Sequence, residues 1–385
     1  MRGNLQGYFG LAGSGSRAIL RQAPNMAGLA FHPLKVRSVE HVAQDATCVT
    51  VEIPASLRET FAHQAGQYVT VRRTINERTE QRTYSIVTAP GANALKLGIR
   101  IQTGGRVSGD IAANLRAGDT LEVSTPMGRF RTAIDPARLF SYVALAAGSG
   151  ITPILSLATD ILAREPSSRF TLIYGNRSIS RTMFLEETLA LKNRYMDRVS
   201  LHFVMSREPQ QTELLNGRID GKKVIELAKH IADIRSADEY LICGPGDMVD
   251  EVRNAIKGLN GNAAIRFERF ATAKSRPLEI LIQESAATPQ AVLAMISVVM
   301  DGRRRSFPMA PSDASVLEAA ERAGVELPFS CRSGICATCR TRIIGGAAEM
   351  THNIALERWE TDAGFLLCCQ ARPTTPTLEI SYDQK

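Results

Sequence analysis

Four cysteines toward the C-terminal end, Cys331, Cys336, Cys339 and Cys369, have the type and spacing to bind iron. The first three follow C-x4-C-x2-C and the fourth comes after 29 intervening residues. Two irons bridged by two sulfides need four thiolates, three from a compact loop and one from a distant strand. Ser333, Gly334, Ala337 and Thr338 are small, so the loop can wrap a cluster and turn backbone N–H groups toward its sulfurs. A zinc site usually pairs its ligands as two C-x2-C knuckles, and this segment has one such pair. Cys368 stands beside Cys369, and successive strand residues point to opposite faces. One of the two can face the cluster, and the other faces away.

Four further segments have residue types suited to phosphate or nucleotide chemistry. Gly148-Ser149-Gly150-Ile151-Thr152-Pro153 follows an apolar run and opens a helical pattern, a strand-to-helix turn of the kind that binds phosphate in an open parallel sheet. Pro153 takes the last position, which separates it from the G-x-G-x-x-G fingerprint; a tight turn without ligand is the alternative. Gly104-Gly105-Arg106-Val107-Ser108 offers close backbone approach and a helix start to an anion. About 20 residues earlier, Arg82-Thr83-Tyr84-Ser85 puts a cation, an aromatic ring and hydroxyls at the end of a strand run. Cys243-Gly244-Pro245 follows another apolar strand, where a lone thiol otherwise serves as core filler.

The elements that must position these groups fall into three sections. From about His32 to Val123, short β-rich runs (Thr47 to Ile53, Gln67 to Arg72, Thr83 to Val87, Leu95 to Ile101, Thr120 to Val123) predict a small barrel. From Phe140 to Phe270, apolar strands alternate with helical stretches, which predicts a parallel sheet with crossover helices. From about Ala294, Asp301-Gly302 between two alternating runs predicts a tight hairpin, and Ser315 with Glu318 predicts a capped short helix stopped by Gly324. The expected divisions are an extension over 1–30, a barrel over 31–137, an α/β domain over 138–272, a linker over 273–292, and an α+β cysteine-bearing domain over 293–385. Leu278 to Ile282 within that linker has the pattern of a local strand.

Composition narrows the function classes. Lys and Arg exceed Asp and Glu by 46 to 39, but the basic residues are scattered and do not form an aromatic-laced patch, which argues against nucleic-acid binding. Three of the excess charges, Arg2, Arg17 and Arg21, lie in a first segment that has no acid. Met26 and the strand-like start at Phe31 make the residues upstream an expected extension. No run of about 20 apolar residues occurs, so neither export nor a membrane span is expected, and the anticipated home is the cytoplasm. Five of the seven cysteines lie between Cys331 and Cys369, unlike a dispersed disulfide framework. The six histidines have no ligand spacing and receive no role.

In order along the chain, Arg82-Thr83-Tyr84-Ser85, Gly104 to Ser108, the G-x-G-x-x-P loop, Cys243-Gly244-Pro245 and Phe267-Glu268-Arg269-Phe270 resemble the ferredoxin-NADP reductase family. The final cysteine set resembles an appended plant-type ferredoxin of β-grasp fold. Tyr174-Gly175-Asn176-Arg177-Ser178, Asn216-Gly217-Arg218-Ile219-Asp220 and Phe329-Ser330-Cys331 add to the likeness, which runs from His32 to Tyr382. It implies FAD, NADPH and a two-iron two-sulfur cluster. It further implies that Arg82 neutralises the flavin pyrophosphate, Tyr84 packs on the ring system, and Ser85 approaches the reactive flavin nitrogen. Gly105, Arg106, Val107 and Ser108 would complete the flavin site. Gly148, Gly150, Thr152 and Pro153 would hold the pyridine nucleotide, with Arg177, Ser178, Ser206 and Arg207 reading its adenosine end and a 2'-phosphate. Cys243, Gly244 and Pro245 would approach the nicotinamide, Glu268 would support it, and Phe270 would cover the flavin. Cys369-Gln370-Ala371-Arg372-Pro373 resembles the C-Q-x-x-P ending whose Cys is the ligand, which selects Cys369. The implied acceptor is an external oxygenase, first a phenylacetyl-CoA epoxygenase; a Rieske oxygenase, a ketosteroid hydroxylase or a hybrid-cluster protein are alternatives. A pure electron carrier or a zinc-stabilised module would lack the two nucleotide motifs.

Overall fold

A computed structural model describes residues 29–231, 233–270 and 292–384. The expected N-terminal extension up to residue 28 lies outside the described residues, as does the expected linker up to residue 291 with its strand at Leu278 to Ile282.

The first section is a six-stranded antiparallel sheet: β1 (Phe31–Ala43), β2 (Ala46–Glu52), β3 (Tyr68–Ile75), β4 (Arg78–Ser85), β5 (Ala94–Arg100) and β6 (Thr120–Ser124). Its order is β4-β3-β6-β1-β2-β5, and a bridge from Ile86 to Leu97 joins the two ends into a barrel. Leu34, Val36, Val49, Val51, Val69, Val71, Leu95, Leu97, Leu121 and Val123 are buried at alternate positions, the period that a half-buried strand requires. Each such side chain contributes about 1.5–3 kcal/mol relative to exposure, so the barrel has a core of its own without metal. Helix α1 (Arg106–Asn114) sends Val107 and Ile111 into that core, which fixes its N-terminus at the rim.

The second section is a parallel sheet of β7 (Ser141–Ala147), β8 (Arg169–Asn176), β9 (Val199–Met205), β10 (Glu239–Pro245) and β11 (Ala264–Phe270), in the order β11-β10-β7-β8-β9. Helices α2 (Ile151–Arg164), α3 (Leu185–Arg194), α4 (Gly221–Leu227), α5 (Asp233–Ser236) and α6 (Gly246–Leu259) make the crossovers. Consecutive residues of β7 and β8 are buried because both sheet faces are covered. The strand order reverses between β7 and β10, and ligands of open α/β sheets sit at such a switch point.

The third section has β12 (Ala294–Met300), β13 (Arg303–Met309), α7 (Val316–Arg322), β14 (Arg340–Met350), α8 (Arg358–Asp362), β15 (Phe365–Leu367) and β16 (Ala371–Ser381), in the order β13-β12-β16-β14-β15. It is a mixed sheet: β12 and β16 run parallel, and the other pairs are antiparallel. Asp301 and Gly302 both take positive φ, +55° and +69°, as the tight turn demands. The Asp383 carboxylate accepts both of their backbone N–H groups, at 2.7 and 2.9 Å. Ser315 caps α7 by accepting from Glu318 N, while the Glu318 carboxylate accepts from Ala314 N one residue before the cap.

Candidate active site

The flavin motif occupies the end of β4, the strand paired with β3. Arg82 and Arg106 both pair with Glu80, at 3.3 and 2.9 Å, so the two halves of the motif converge on one carboxylate. Thr83 opposes Thr70 in the ladder, and Tyr84 is half-buried with its phenol pushed upward by burial. Gly104 takes φ +66°, and a Cβ on Gly105 would stand 2.6 Å from Ser108 Oγ and 2.8 Å from Gln102 Cβ. Glycine is therefore required where the chain turns into α1, and the uncapped N–H groups of that helix remain available to an anion.

Both nucleotide loops lie at the carboxyl ends of strands, on either side of the switch point. Gly148 has φ +55°, its carbonyl accepts the Tyr174 hydroxyl at 2.9 Å, and a 3-10 turn delivers the chain into α2. A Cβ on Gly150 would fall 2.1 Å from the Cys243 carbonyl oxygen. The Gly-rich loop and the Cys243-Gly244-Pro245 segment are thus in direct backbone contact. Thr152 Oγ1 donates to Ser149 O at 2.9 Å, and Pro153 sits in the first helical turn, where its missing N–H costs no bond. Arg207 N donates to Arg177 O at 2.9 Å and Ser206 N to Asn176 O, so β8 and β9 bring Arg177, Ser178, Ser206 and Arg207 together. Burial and the nearby Arg207 and Arg181 guanidinium groups lower the Arg177 pKa.

The two domains meet at Ser85, Glu268 and Cys243. Ser85 Oγ donates to Glu268 Oε2 at 3.4 Å, and Glu268 opposes Cys243 in the β10–β11 ladder. Burial pushes the Glu268 carboxyl up to about 8, with the Ser85 hydrogen bond opposing it, and burial together with Glu268 raises the Cys243 thiol. Phe270 ends β11 opposite Pro245. A cleft of about 320 Å³, lined by Gly246, Asp247, Arg269, Phe270, Ile354 and Glu357, separates the nucleotide sheet from the third domain.

The third domain presents its four cysteines as two pairs. Cys331 and Cys336 stand near enough to shift each other's thiols, and so do Cys339 and Cys369. No three His, Cys, Asp or Glu side chains among the described residues converge as a single-ion site would need. Two pairs of thiols would suit a pair of bridged irons, to which they would supply four thiolate ligands. Ser333 N and Cys336 N each lie 3.4 Å from Cys331 Sγ, and Gln370 Nε2 lies 3.7 Å from Cys369 Sγ, so amide donors already face the sulfurs. The loop reaches this shape through positive φ at Arg332, Gly334 and Ala337, a conformational cost that compact ligand clamps carry. Cys368 points the other way: it is buried, receives the Tyr382 hydroxyl at 3.2 Å, and burial pushes its thiol up to about 12.

Contacts between the domains had no signal in the sequence. Tyr68 OH donates to Cys336 O at 2.8 Å, Arg129 pairs with Glu360 at 2.9 Å, and Arg269 donates to Ile354 O at 2.9 Å. They join residues 268, 231 and 85 positions apart, beyond any local pattern.

Residues 33–132 match the oxidoreductase FAD-binding domain family, 144–254 the oxidoreductase NAD-binding domain family, and 298–374 the 2Fe-2S iron-sulfur cluster binding domain family. The chain is 36% identical to a component protein of the 1,2-phenylacetyl-CoA epoxidase of Escherichia coli K12 over 356 residues, covering 92% of this chain and 98% of that one. The chain belongs to the ferredoxin-NADP reductase-like family with a C-terminal 2Fe-2S domain. Another member of this reductase family, the ferredoxin reductase component of 3-ketosteroid-9-alpha-monooxygenase from Rhodococcus rhodochrous, is 28% identical over 91% of this chain and 96% of its own. Phthalate dioxygenase reductase shares the fold, with a TM-score of 0.57 at 23% identity over 91% of this chain and 98% of that one. As a reductase of this family the chain is an NAD(P)H-dependent oxidoreductase with FAD-binding, NAD-binding and 2Fe-2S domains. No helix among the described residues is long and apolar enough to cross a membrane.

Proposed function

We infer that this reductase takes hydride from NADPH and delivers electrons to a separate oxygenase, with a phenylacetyl-CoA epoxygenase as the first candidate. The observation that carries this reading is the ladder pairing of Tyr68 with Ser85, because one hairpin then reaches Glu268 on the nucleotide sheet from Ser85 and the cysteine loop from Tyr68. When bound, FAD accepts hydride and releases its electrons singly to the iron-sulfur centre.

The chain's own residues supply binding and orientation. Arg82, Thr83, Tyr84, Ser85 and the Gly105 to Ser108 helix start hold FAD. Gly148, Gly150, Thr152 and Pro153 hold the nucleotide pyrophosphate, while Arg177, Ser178, Ser206 and Arg207 favour the 2'-phosphate and hence NADPH. Cys243, Gly244, Pro245 and Glu268 flank the nicotinamide, and Phe270 covers the flavin. Cys331, Cys336, Cys339 and Cys369 ligate the cluster. Seven cysteines without a disulfide suit a reducing cytoplasm.

The acyl-CoA assignment follows the 36% identity to the Escherichia coli epoxidase component. The ketosteroid monooxygenase reductase, similar over nearly the same span, favours a second reading in which another oxygenase is served. A chain ending at Ala273 tests the electron path: it should bind FAD and reduce ferricyanide with NADPH, yet reduce cytochrome c poorly and support no oxygenase. Full oxygenase turnover by the shortened chain would overturn the reading. Epoxide formation on phenylacetyl-CoA by the full chain and its oxygenase would decide between the acceptors.

A further inference from the structure

We propose that Tyr68 is the positioning residue that seats the cluster loop on the flavin barrel, through the hydrogen bond from its hydroxyl to the Cys336 carbonyl. The 2.8 Å bond spans two domains and ends on the backbone of a proposed ligand. Tyr68 is well anchored for this task. Its backbone exchanges hydrogen bonds with Met127 at 2.7 and 2.8 Å, and it is the first residue of β3, opposite Ser85. Gly128, at φ +120°, backs onto the ring: a Cβ there would sit 3.0 Å from Tyr68 Cδ1. The phenol is thus gripped by the barrel and projects into the neighbouring domain.

The other two contacts described above hold other parts of that domain. Arg129 reaches Glu360 on α8, and Arg269, which also pairs with Asp250, reaches the 353–358 loop through Ile354 O. Tyr68 acts on the 331–339 loop itself, which carries three of the four proposed ligands. Oxidation of one nicotinamide releases two electrons and one proton, the proton to water. The cluster carries one electron at a time, so this junction is crossed twice per nucleotide. Small errors in its geometry therefore count twice. The inference rests on the electron path proposed above and adds to it the residue that sets the joint.

Tyr68→Phe in the full chain, loaded with FAD and cluster, is the test, because it keeps the ring and removes the donor. Ferricyanide reduction should stay within about twofold. Cytochrome c reduction should fall roughly three- to tenfold, the worth of one neutral hydrogen bond, and amide hydrogen exchange at residues 335–338 should speed up by a similar factor. Unchanged cytochrome c reduction with unchanged exchange would overturn the proposal, as would an equal fall in ferricyanide reduction, which would place Tyr68 at the flavin and not at the joint. Failure of the underlying electron path looks different: the wild-type chain would itself not reduce cytochrome c.

Discussion

The Ser85 hydroxyl and the Glu268 carboxylate lie 3.4 Å apart across the joint between the flavin barrel and the nucleotide sheet. Burial pushes the Glu268 carboxyl up to about 8, and the hydrogen bond from Ser85 works against that rise.

A pH dependence follows, with a definite sign. Unfolded, Glu268 ionises near 4.5; folded, near 8. The folded state binds the extra proton between those values, so its stabilising contribution is complete below the lower one and is lost as pH rises through the upper one. Glu268→Gln should remove this loss. Thermal unfolding midpoints measured from pH 5 to 9 should fall in the wild type relative to the variant by an amount worth roughly 2–4 kcal/mol. Parallel curves would mean that Glu268 is charged throughout.

The two adjacent cysteines should separate cleanly. Cys369→Ser should lose the visible iron-sulfur absorption and the acid-labile sulfide while retaining FAD. Cys368→Ser, which alters a buried thiol hydrogen-bonded to Tyr382, should keep the cluster and lower stability by about 1 kcal/mol. Iron and sulfide analysis of the purified variants checks both, and the reverse pattern would exchange the ligand assignment.

Arg207→Ala should discriminate between the nucleotides. A charge-assisted pair with a 2'-phosphate is worth about 1.5–3 kcal/mol, so KM for NADPH should rise about tenfold or more. KM for NADH should change less than twofold. Steady-state ferricyanide reduction with each nucleotide measures this, and equal shifts would leave Arg207 a solvated surface residue.

Gly150→Ala isolates the contact between the nucleotide loops. The backbone there is ordinary helical geometry, φ −60°, so alanine adds no torsional strain, but its Cβ would meet the Cys243 carbonyl at 2.1 Å. Either β10 or the loop must move. A stability loss of at least ~2 kcal/mol by denaturant titration, together with weakened nucleotide binding, is the expected result. An unperturbed Tm would show that the loop yields at little cost.

What could be read from the sequence had local causes. The C-x4-C-x2-C spacing, the Asp301-Gly302 turn and the strand-to-helix loop at Gly148 each depend on residues close together in the chain, where sterics and hydrogen bonding act directly. Strand β1 was harder: its bulges near Val36 and His41 break the alternation that marks a strand, so Phe31 alone gave a hint of it. The choice between Cys368 and Cys369 depended on resemblance, and the expected strand alternation does not apply to them: β15 ends at Leu367 and β16 begins at Ala371, so both cysteines stand in the turn between. Glu80, shared by Arg82 and Arg106, was missed because an acid among cations on a surface strand has no periodic signature. Tyr68, Arg129 and Glu360 were illegible for a stronger reason, since their partners belong to other domains and only the assembled chain brings them together.

Glu360 is fully buried, and Arg129 from the barrel leaves more than half of its own side chain in water. Arg340, from within the same domain, also stands 2.8 Å from that carboxylate, as an ion pair rather than an aligned hydrogen bond. Lifting the domain off the barrel removes one cation and leaves the other, so no buried charge is stranded. The buried acid of that domain therefore keeps a cation of its own whether or not the barrel is docked against it.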